Sequence, residues 1–523
     1  MPQETVSQSE VSPPNTSTSI SRFSTSSKGD LTSPVDTFSQ DPATESPPAL
    51  TSASSARVNI RLASAFVIFF VFGWGDGVTG TLLPYFKDDF HLSFMTSSLC
   101  FVTSTIGFAV GTILVEHILG FMGWIRISPP SAHTWIPIIF RRRSSNIAYM
   151  HSKSQARFVV IFAGTLLHPV FFVIMGCGRN FASMLVAYAI SAFSRSVLTG
   201  KLHCQNHYVA STPKKALGYM YGYWSIGSMC APLVCQSVIA TGIAWNHFYF
   251  GSLVLSGISS SFAFYAFRPR PAELEQDIAS LLAENRMSSP TPTEKQGRES
   301  PATPATTISE ENIGLPELQK SAPAPSKNLS RALKIPLVWA LALFLNTYTG
   351  LEAATQGYIV TYLLGARNAN PKTVGYVTSG FWGGETVSRF VWGYFNTRIT
   401  SKQRKYIVLV CMYVLALVFQ LTIWFVDSFV ENAIATAFLG VVYGPIFVAA
   451  LALVNDLLPA DLHMMSMQIG ASCASFGSAL YPFITGTIMN YKGPKTLVYV
   501  IVSQATVLLL IWSLLPSKPR NHT

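Results

Sequence analysis

The chain has 523 residues, of which 49% are hydrophobic and 12% are charged, and its mean hydropathy is +0.35. Soluble globular domains carry about 25% charged residues, so this composition excludes an ordinary soluble domain. The formal net charge of +11 does not require a nucleic-acid partner, because membrane proteins concentrate Lys and Arg in their cytoplasmic loops.

Apolar runs of about 20 residues, the length that crosses a bilayer, recur between Leu62 and Leu515. They predict an all-α, multi-pass integral membrane protein with twelve transmembrane helices in two six-helix bundles. The predicted spans are 62–86, 94–120, 158–177, 181–200, 216–241, 247–267, 335–364, 372–396, 406–426, 430–456, 465–490 and 496–515.

The segments outside these spans are polar. Residues 1–57 and the linker 268–334 are rich in Ser, Thr and Pro, which predicts disorder. The predicted bundles are then 58–267 and 335–515, followed by a short tail at 516–523. Within the linker, "AELEQDIASLLAENR" predicts a short amphipathic helix that lies on the membrane or on the bundle. Its apolar face comprises Leu274, Ile278, Leu281 and Leu282.

Basic residues in the loops predict the orientation. With the N-terminus inside, the cytoplasmic loops carry three groups of Lys and Arg residues. These are Arg126, Arg141, Arg142, Arg143, Lys153 and Arg157; Lys201, Lys214 and Lys215; and Arg398, Lys402, Arg404 and Lys405. Both termini and the linker are therefore expected in the cytoplasm.

The two halves of the chain contain weakly similar segments. "SIGSMCAPLVCQSVIATG" in span five and "SFGSALYPFITGTIMNYKG" in span eleven share two serines, a glycine and a proline at matching positions. Asp76 in span one and Glu352 in span seven occupy related places. Such parallel repeats are typical of transporters whose substrate site lies near the midplane, between the halves.

Three segments carry a resemblance to a known family: "FGWGDGVTGTLLPYF" (72–86), "GLEAATQGYIVTYL" (350–363) and "GYVTSGFWGGETVSRFVWGYFNTRITSKQRK" (375–405). They resemble spans one, seven and eight of the major facilitator superfamily, in its fungal and fucose–proton-symporter-like branches. The resemblance implies a secondary active transporter that moves a small organic solute, with a sugar as the leading class, by alternating access. It also implies protons as the coupling ion and residence in the plasma or vacuolar membrane.

One loop departs from that family. Between spans two and three the superfamily usually carries a Gly-x-x-x-Asp-(Arg/Lys)-x-Gly-Arg-(Arg/Lys) signature. Here residues 121–157 form a longer loop without the acidic member, and the basic cluster at 141–143 is displaced. The first-half inner gate is therefore not expected to match the family pattern.

Ionisable residues within the spans are the candidate functional residues, since a charge in the bilayer usually faces a partner or a cavity. Asp76 and Glu352 are predicted to bind substrate or a proton. Arg195 in span four is predicted to contact substrate or to pair with an acid, either Asp76 or Glu116. A structural ion pair remains the alternative for each of these three candidates.

Four further candidates follow from spacing and residue type. Gln356 follows Glu352 by four residues and so shares its helix face. Trp224 belongs to the aromatic series "GYMYGYW" and offers a ring face to a polar solute, or simply packs between helices. Glu385 and Arg389, also four apart, are predicted to pair.

The family resemblance assigns Arg389, with Glu385, Arg398 and Lys402, to a cytoplasmic gate. No phosphate-binding Gly-rich loop, metal-spaced His/Cys group or nucleophilic triad is present, so an enzyme, a cofactor and a metal are not expected. A drug or metabolite antiporter of the same fold and a non-transporting nutrient sensor remain alternatives. The expected partners are a small-molecule substrate, protons and the lipid bilayer.

Overall fold

The computed structural model describes residues 52–127, 148–209, 213–288, 331–396 and 398–516. The N-terminal segment up to residue 51, the basic cluster 141–143 and linker residues 289–330 lie outside this described part, and so does the C-terminal tail after residue 516. The predictions made for those segments are therefore not addressed by the structure.

The first group of helices forms the N-terminal part of the described chain. Its members are α1 (Ser52–Gly77), α2 (Thr79–Asp89), α3 (Phe94–Ser97), α4 (Leu99–Met122), α5 (Lys153–Cys177), α6 (Phe181–Val209), α7 (Pro213–Ala240) and α8 (His247–Phe267). A separate helix, α9 (Pro271–Ser288), follows α8. It lies where the linker sequence predicts an amphipathic helix.

The second group of helices follows the linker. Its members are α10 (Pro336–Arg367), α11 (Tyr376–Phe395), α12 (Ser401–Val410), α13 (Leu417–Phe425), α14 (Phe429–Leu457), α15 (Ala460–Lys492) and α16 (Leu497–Leu514). A π-helical turn at Cys411–Ala416 joins α12 to α13. Together the two groups place a helix at each predicted span.

Ten helical segments of the described residues are long and apolar enough to cross a membrane. These are Arg57–Asp89, Phe94–Val115, Lys153–Cys177, Phe181–Thr199, Gly218–Ala240, His247–Phe267, Pro336–Arg367, Ser401–Phe425, Phe429–Leu453 and Pro494–Leu514. Helices α11 and α15 are not among them. Both contribute polar side chains to an internal cavity described below, Arg389 from α11 and Ser475 and Ser478 from α15.

A short β-ribbon lies within the loop that the sequence analysis left without secondary structure. Strands β1 (Trp124–Ile127) and β2 (Ala148–His151) pair antiparallel, with Trp124 opposite His151. The fold is therefore helical apart from this one ribbon in the described residues. Four-residue strands with no wider apolar alternation carry too little periodicity to be recognised in a single sequence.

Helix α9 is held against the end of the bundle by charged and polar contacts. Arg61 Nη2 donates to both carboxylate oxygens of Glu273 at 3.0 Å. Ser152 Oγ and Ser154 N donate to Asp277 Oδ2 at 2.6 and 2.8 Å, so that Asp277 caps the N-terminus of α5. The contacts link α9 to α1 and α5.

Glycines allow the closest helix approaches in both groups. A Cβ atom added at Gly73 or Gly227 would meet the facing backbone between α1 and α7, and one at Gly107 would meet that of α6. In the second group, Gly440 of α14 abuts α11, and Gly477 of α15 abuts α10. Small residues that let backbones approach are the usual means of packing membrane helices.

We expect Gly440→Ala to destabilise the folded bundle, because its methyl group would meet Phe381 O. Overpacking of this kind costs about 1–3 kcal/mol. The measurement is the thermal unfolding midpoint of the purified protein in detergent. Gly251→Ala is the matched control, since a Cβ there meets nothing within 4 Å. Equal midpoints for the two variants would contradict the close approach of α11 and α14.

Candidate functional site

A cavity of about 240 Å³ lies between the two groups of helices. Its walls come from α1, α2, α4, α6 and α7 of the first group and from α10, α11, α14 and α15 of the second. Six of the nine predicted site residues line it: Asp76, Arg195, Trp224, Glu352, Gln356 and the predicted gate residue Arg389.

Asp76 forms an ion pair with Arg195 across the first group of helices. The aspartate side chain is 28% exposed and the arginine 11%, so the pair is open to the cavity on one side only. The Arg195 guanidinium also lies 5.7 Å from the Trp224 ring centroid, a cation–π distance. The sequence predicted either Asp76 or Glu116 as the partner of Arg195, and in the structure the partner is Asp76.

The glycines beside Asp76 explain how α1 places the carboxylate. A Cβ at Gly77 would overlap the backbone of Ser228, so glycine is what lets α1 touch α7 at this depth. Gly75 faces Phe171 and Phe172 within ordinary van der Waals distance. The helix is thus packed closely on its glycine sides, while Asp76 faces the cavity.

Arg389 is the centre of a second charged cluster. Its Nη2 lies 2.9 Å from Glu385 Oε2 and 3.3 Å from Glu352 Oε1. Its Nη1 donates to Ser225 Oγ at 2.5 Å, and its Nε donates to Gly444 O at 3.4 Å. Since Ser225 belongs to α7, this one guanidinium bridges the two groups of helices.

The predicted i,i+4 pair of Glu385 and Arg389 is present. The gate candidates Arg398 and Lys402, however, are exposed, whereas Arg389 is buried. Arg389 is 4% exposed and contacts the cavity cluster. Arg398 is exposed, with its guanidinium 5.0 Å from the Tyr394 ring centroid, and Lys402 is exposed on α12. A joint gate of these residues stays a prediction.

Polar and aromatic side chains complete the cavity wall. Tyr188, Tyr221, Trp382 and Phe447 supply ring surfaces. Gln356 Oε1, Trp382 Nε1 and Arg195 Nε are buried and have no hydrogen-bond partner among the described residues. Buried polar atoms without partners are uncommon in native proteins.

Sequence reasoning did not single out two polar groups as site residues. Ser225, noted only as part of the internal repeat, contacts Arg389. Arg404, noted only as a basic loop residue, is 1% exposed and pairs with Asp456 at the end of α14. Ser401 Oγ donates to the same Asp456 carboxylate at 2.7 Å. These contacts join helices distant in sequence, so no local spacing indicates them.

The two groups of helices are also hydrogen-bonded at the end of the bundle that contains Pro371, which we call the Pro371 end. Tyr85 Oη donates to Pro371 O at 3.2 Å, and Gln236 Nε2 donates to the same oxygen at 3.0 Å. Ser237 Oγ lies 3.3 Å from Tyr376 Oη. These hydrogen bonds connect the two groups of helices at the Pro371 end.

Part of this chain matches a known protein family, and most of it matches a fungal relative. Residues 342–523 match the model of the Major Facilitator Superfamily. The predicted resemblance to this superfamily is confirmed. A relative in Saccharomyces cerevisiae, "Bypass of stop codon protein 6", is 22% identical over 474 residues, which cover 89% of this chain and 84% of the relative.

The fold itself is also found in a solved structure. The crystal structure of the E. coli fucose:proton symporter FucP matches with a TM-score of 0.54 and 14% identity. The match covers 88% of this chain and 99% of that one. The chain therefore shares the fold of that symporter, and its apolar helices make it a multi-pass membrane protein.

We expect the Asp76–Arg195 pair to show strong coupling in a double-mutant cycle. Asp76→Asn leaves the buried Arg195 guanidinium without its partner, at a cost on the order of 3 kcal/mol, and Arg195→Gln leaves the partly exposed Asp76 carboxylate unpaired at a smaller cost. The double variant removes both charges and should lose much less than the sum of the two single losses. The measurement is the unfolding midpoint in detergent.

The control for this cycle is Asp427→Asn. Asp427 pairs with Arg367 at 3.0 Å, but its side chain is 79% exposed, so the substitution should change the midpoint little. Strictly additive losses at Asp76 and Arg195 would show that the two side chains do not interact.

Proposed function

We propose that this protein is a secondary active transporter that moves a small polar organic solute through the membrane by alternating access. The observation that carries the proposal is the cavity between the two groups of helices, with an ion pair on one wall and a charged cluster on the other. Sites of this kind, at the interface between repeats, are where transporters of this architecture bind solute and ion.

The proposed architecture is twelve spans in two six-helix bundles. Helices α11 and α15 supply the two spans beyond the ten most apolar ones. The packing supports this repeat: α1 with α7 and α4 with α6 meet at glycines, and so do α10 with α15 and α11 with α14. The same pairs of positions are thus in contact in each half, as a parallel repeat requires.

The described conformation is proposed to be the inward-facing one. In the orientation predicted from the loop charges, the ends carrying Arg404 and α9 lie in the cytoplasm and the Pro371 end lies outside. Support for this comes from the hydrogen bonds that hold the bundles together at the Pro371 end. Rocking of the bundles about the cavity would break these bonds and open it outward.

The proposed substrate class is a hydroxyl-rich solute, with sugars first. Ring faces of Trp224 and Tyr221 can stack on the apolar faces of such a solute. The unpartnered polar atoms of Gln356, Trp382 and Arg195 can bind hydroxyl groups after small side-chain rotations. The fucose:proton symporter that shares the fold adds support for sugars and for protons as the coupling ion.

We expect cells that lack their own sugar transporters to take up at least one labelled hexose, pentose or polyol when they express this chain. Uptake should be faster with acidic medium outside than with neutral medium, because the inward proton gradient drives it. Asp76→Asn should abolish accumulation, because Arg195 then loses its partner at the binding site.

Two controls accompany the uptake assay. Surface expression of each variant is measured by labelling, and Asp427→Asn serves as a carboxylate substitution outside the cavity that should transport like the wild type. An absence of pH-dependent flux for every solute in the panel would overturn proton-coupled uptake. If a preloaded solute instead leaves the cells faster when the medium outside is acidic, the antiporter is favoured.

A further inference from the structure

Two carboxylates beside the cavity share one cation. Both Glu385 Oε2 and Glu352 Oε1 contact the same Nη2 atom of Arg389, at 2.9 and 3.3 Å. The two acids are therefore close neighbours, although they lie on different helices. With both ionised, the cluster carries one more negative charge than positive.

The other ionisable groups around this cluster do not supply a compensating cation. Tyr348 and Tyr443, from α10 and α14, lie close to it, and Tyr348 Oη donates to Tyr443 O at 2.8 Å. Tyr221 of α7 lies beside Arg389. On the opposite wall, Arg195 is the other cation among the described lining residues, and it pairs with Asp76.

The excess charge lies in a buried setting. Glu385 is fully buried, Arg389 is 4% exposed and Glu352 is 13% exposed. An uncompensated charge costs several kcal/mol when it is held away from water, and two carboxylates that share a site rarely both ionise. A single bound proton removes the excess charge and leaves one carboxylate to pair with Arg389.

We propose that Glu352 and Glu385 jointly hold one proton and that this acid pair is the proton-coupling site of the transporter. The assignment rests on the transport function proposed above. In the Asp76–Arg195 pair one negative and one positive charge already balance. This pair is then part of the solute site rather than the site that carries the proton.

The geometry also gives a route for coupling. Glu352 is the member of the pair that lines the cavity, so the proton enters and leaves there by adding to, or departing from, a carboxylate oxygen. Glu385 is the inner member of the pair, and its Oε1 atom is buried without a hydrogen-bond partner among the described residues. When the proton leaves, both carboxylates compete for Arg389, whose Nη1 bonds to Ser225 of the other helix group.

The proton itself can be observed without knowing the solute. We expect infrared pH-difference spectra of the purified full-length protein in lipid nanodiscs to show a carbonyl stretch from a protonated carboxyl group at neutral pH. Because one proton serves two acids, Glu352→Gln and Glu385→Gln should each abolish this band. In either variant the remaining carboxylate has Arg389 to itself and stays ionised. Glu431→Gln, at an exposed position, should leave the band intact.

The same spectra can overturn the proposal. Survival of the band in Glu352→Gln would place the proton on Glu385 alone, and its survival in both single variants would place it elsewhere. A wild-type protein without the band near neutral pH would show that both acids are ionised. Size-exclusion profiles identify any variant that fails to fold, and the isosteric Gln substitutions are chosen to avoid this.

A transport measurement separates this inference from the proposed function. In proteoliposomes, a solute that the wild-type protein accumulates under an imposed proton gradient should no longer be accumulated by Glu385→Gln, which should still exchange it across the membrane. Accumulation by Glu385→Gln at the wild-type level would refute the coupling role while leaving transport established. If the wild-type protein moves no solute of the panel, the transport function fails, whatever the infrared result.

Discussion

The contact of Arg389 with Glu385, Glu352 and Ser225 is the interaction on which the centre of the molecule depends. A guanidinium cannot lose its charge at physiological pH, so a buried one must be surrounded by acceptors. These acceptors come from α7, α10 and α11, and a further one, Gly444 O, comes from α14. One side chain therefore positions four helices and ties the two helix groups together at the cavity.

Close helix packing makes this arrangement possible. Gly440 and Gly444 of α14 bring that helix against α11 at the depth of Glu385 and Arg389. Gly77 does the same for α1 against α7 beside Asp76. Glycines thus bring the backbones together, and the charged side chains line the cavity between the two groups. Within the same helices, glycines therefore form the close contacts and charged residues line the cavity.

The sequence contains enough to predict the helices and the four charged residues that line the cavity. Apolar runs of membrane length locate the spans, and a charge inside such a run identifies Asp76, Arg195, Glu352 and Arg389 because charges in a bilayer are rare. The i,i+4 spacing also indicates the Glu385–Arg389 pair. These signals are local, which is why one sequence suffices for them.

Apart from the Asp76–Arg195 pair, which was one of two alternatives for Arg195, the contacts between distant segments could not be predicted. The third member of the Arg389 cluster, Glu352, lies on another helix, and its approach depends on how α10 packs against α11. The same holds for Asp277, which caps α5 from α9, and for the Arg404–Asp456 pair. The β1–β2 ribbon pairs strands that are 20 residues apart in the sequence. Such contacts leave no periodic pattern in the chain.

We propose that solute movement and proton movement are coupled in the charged cavity. The most direct test uses the purified protein in liposomes without a pre-formed gradient and records the external pH when an unlabelled solute of the panel is added. We expect the medium to become more alkaline, because protons enter with the solute, and a protonophore to abolish the signal. Solute entry with no change in external pH would contradict this proposal.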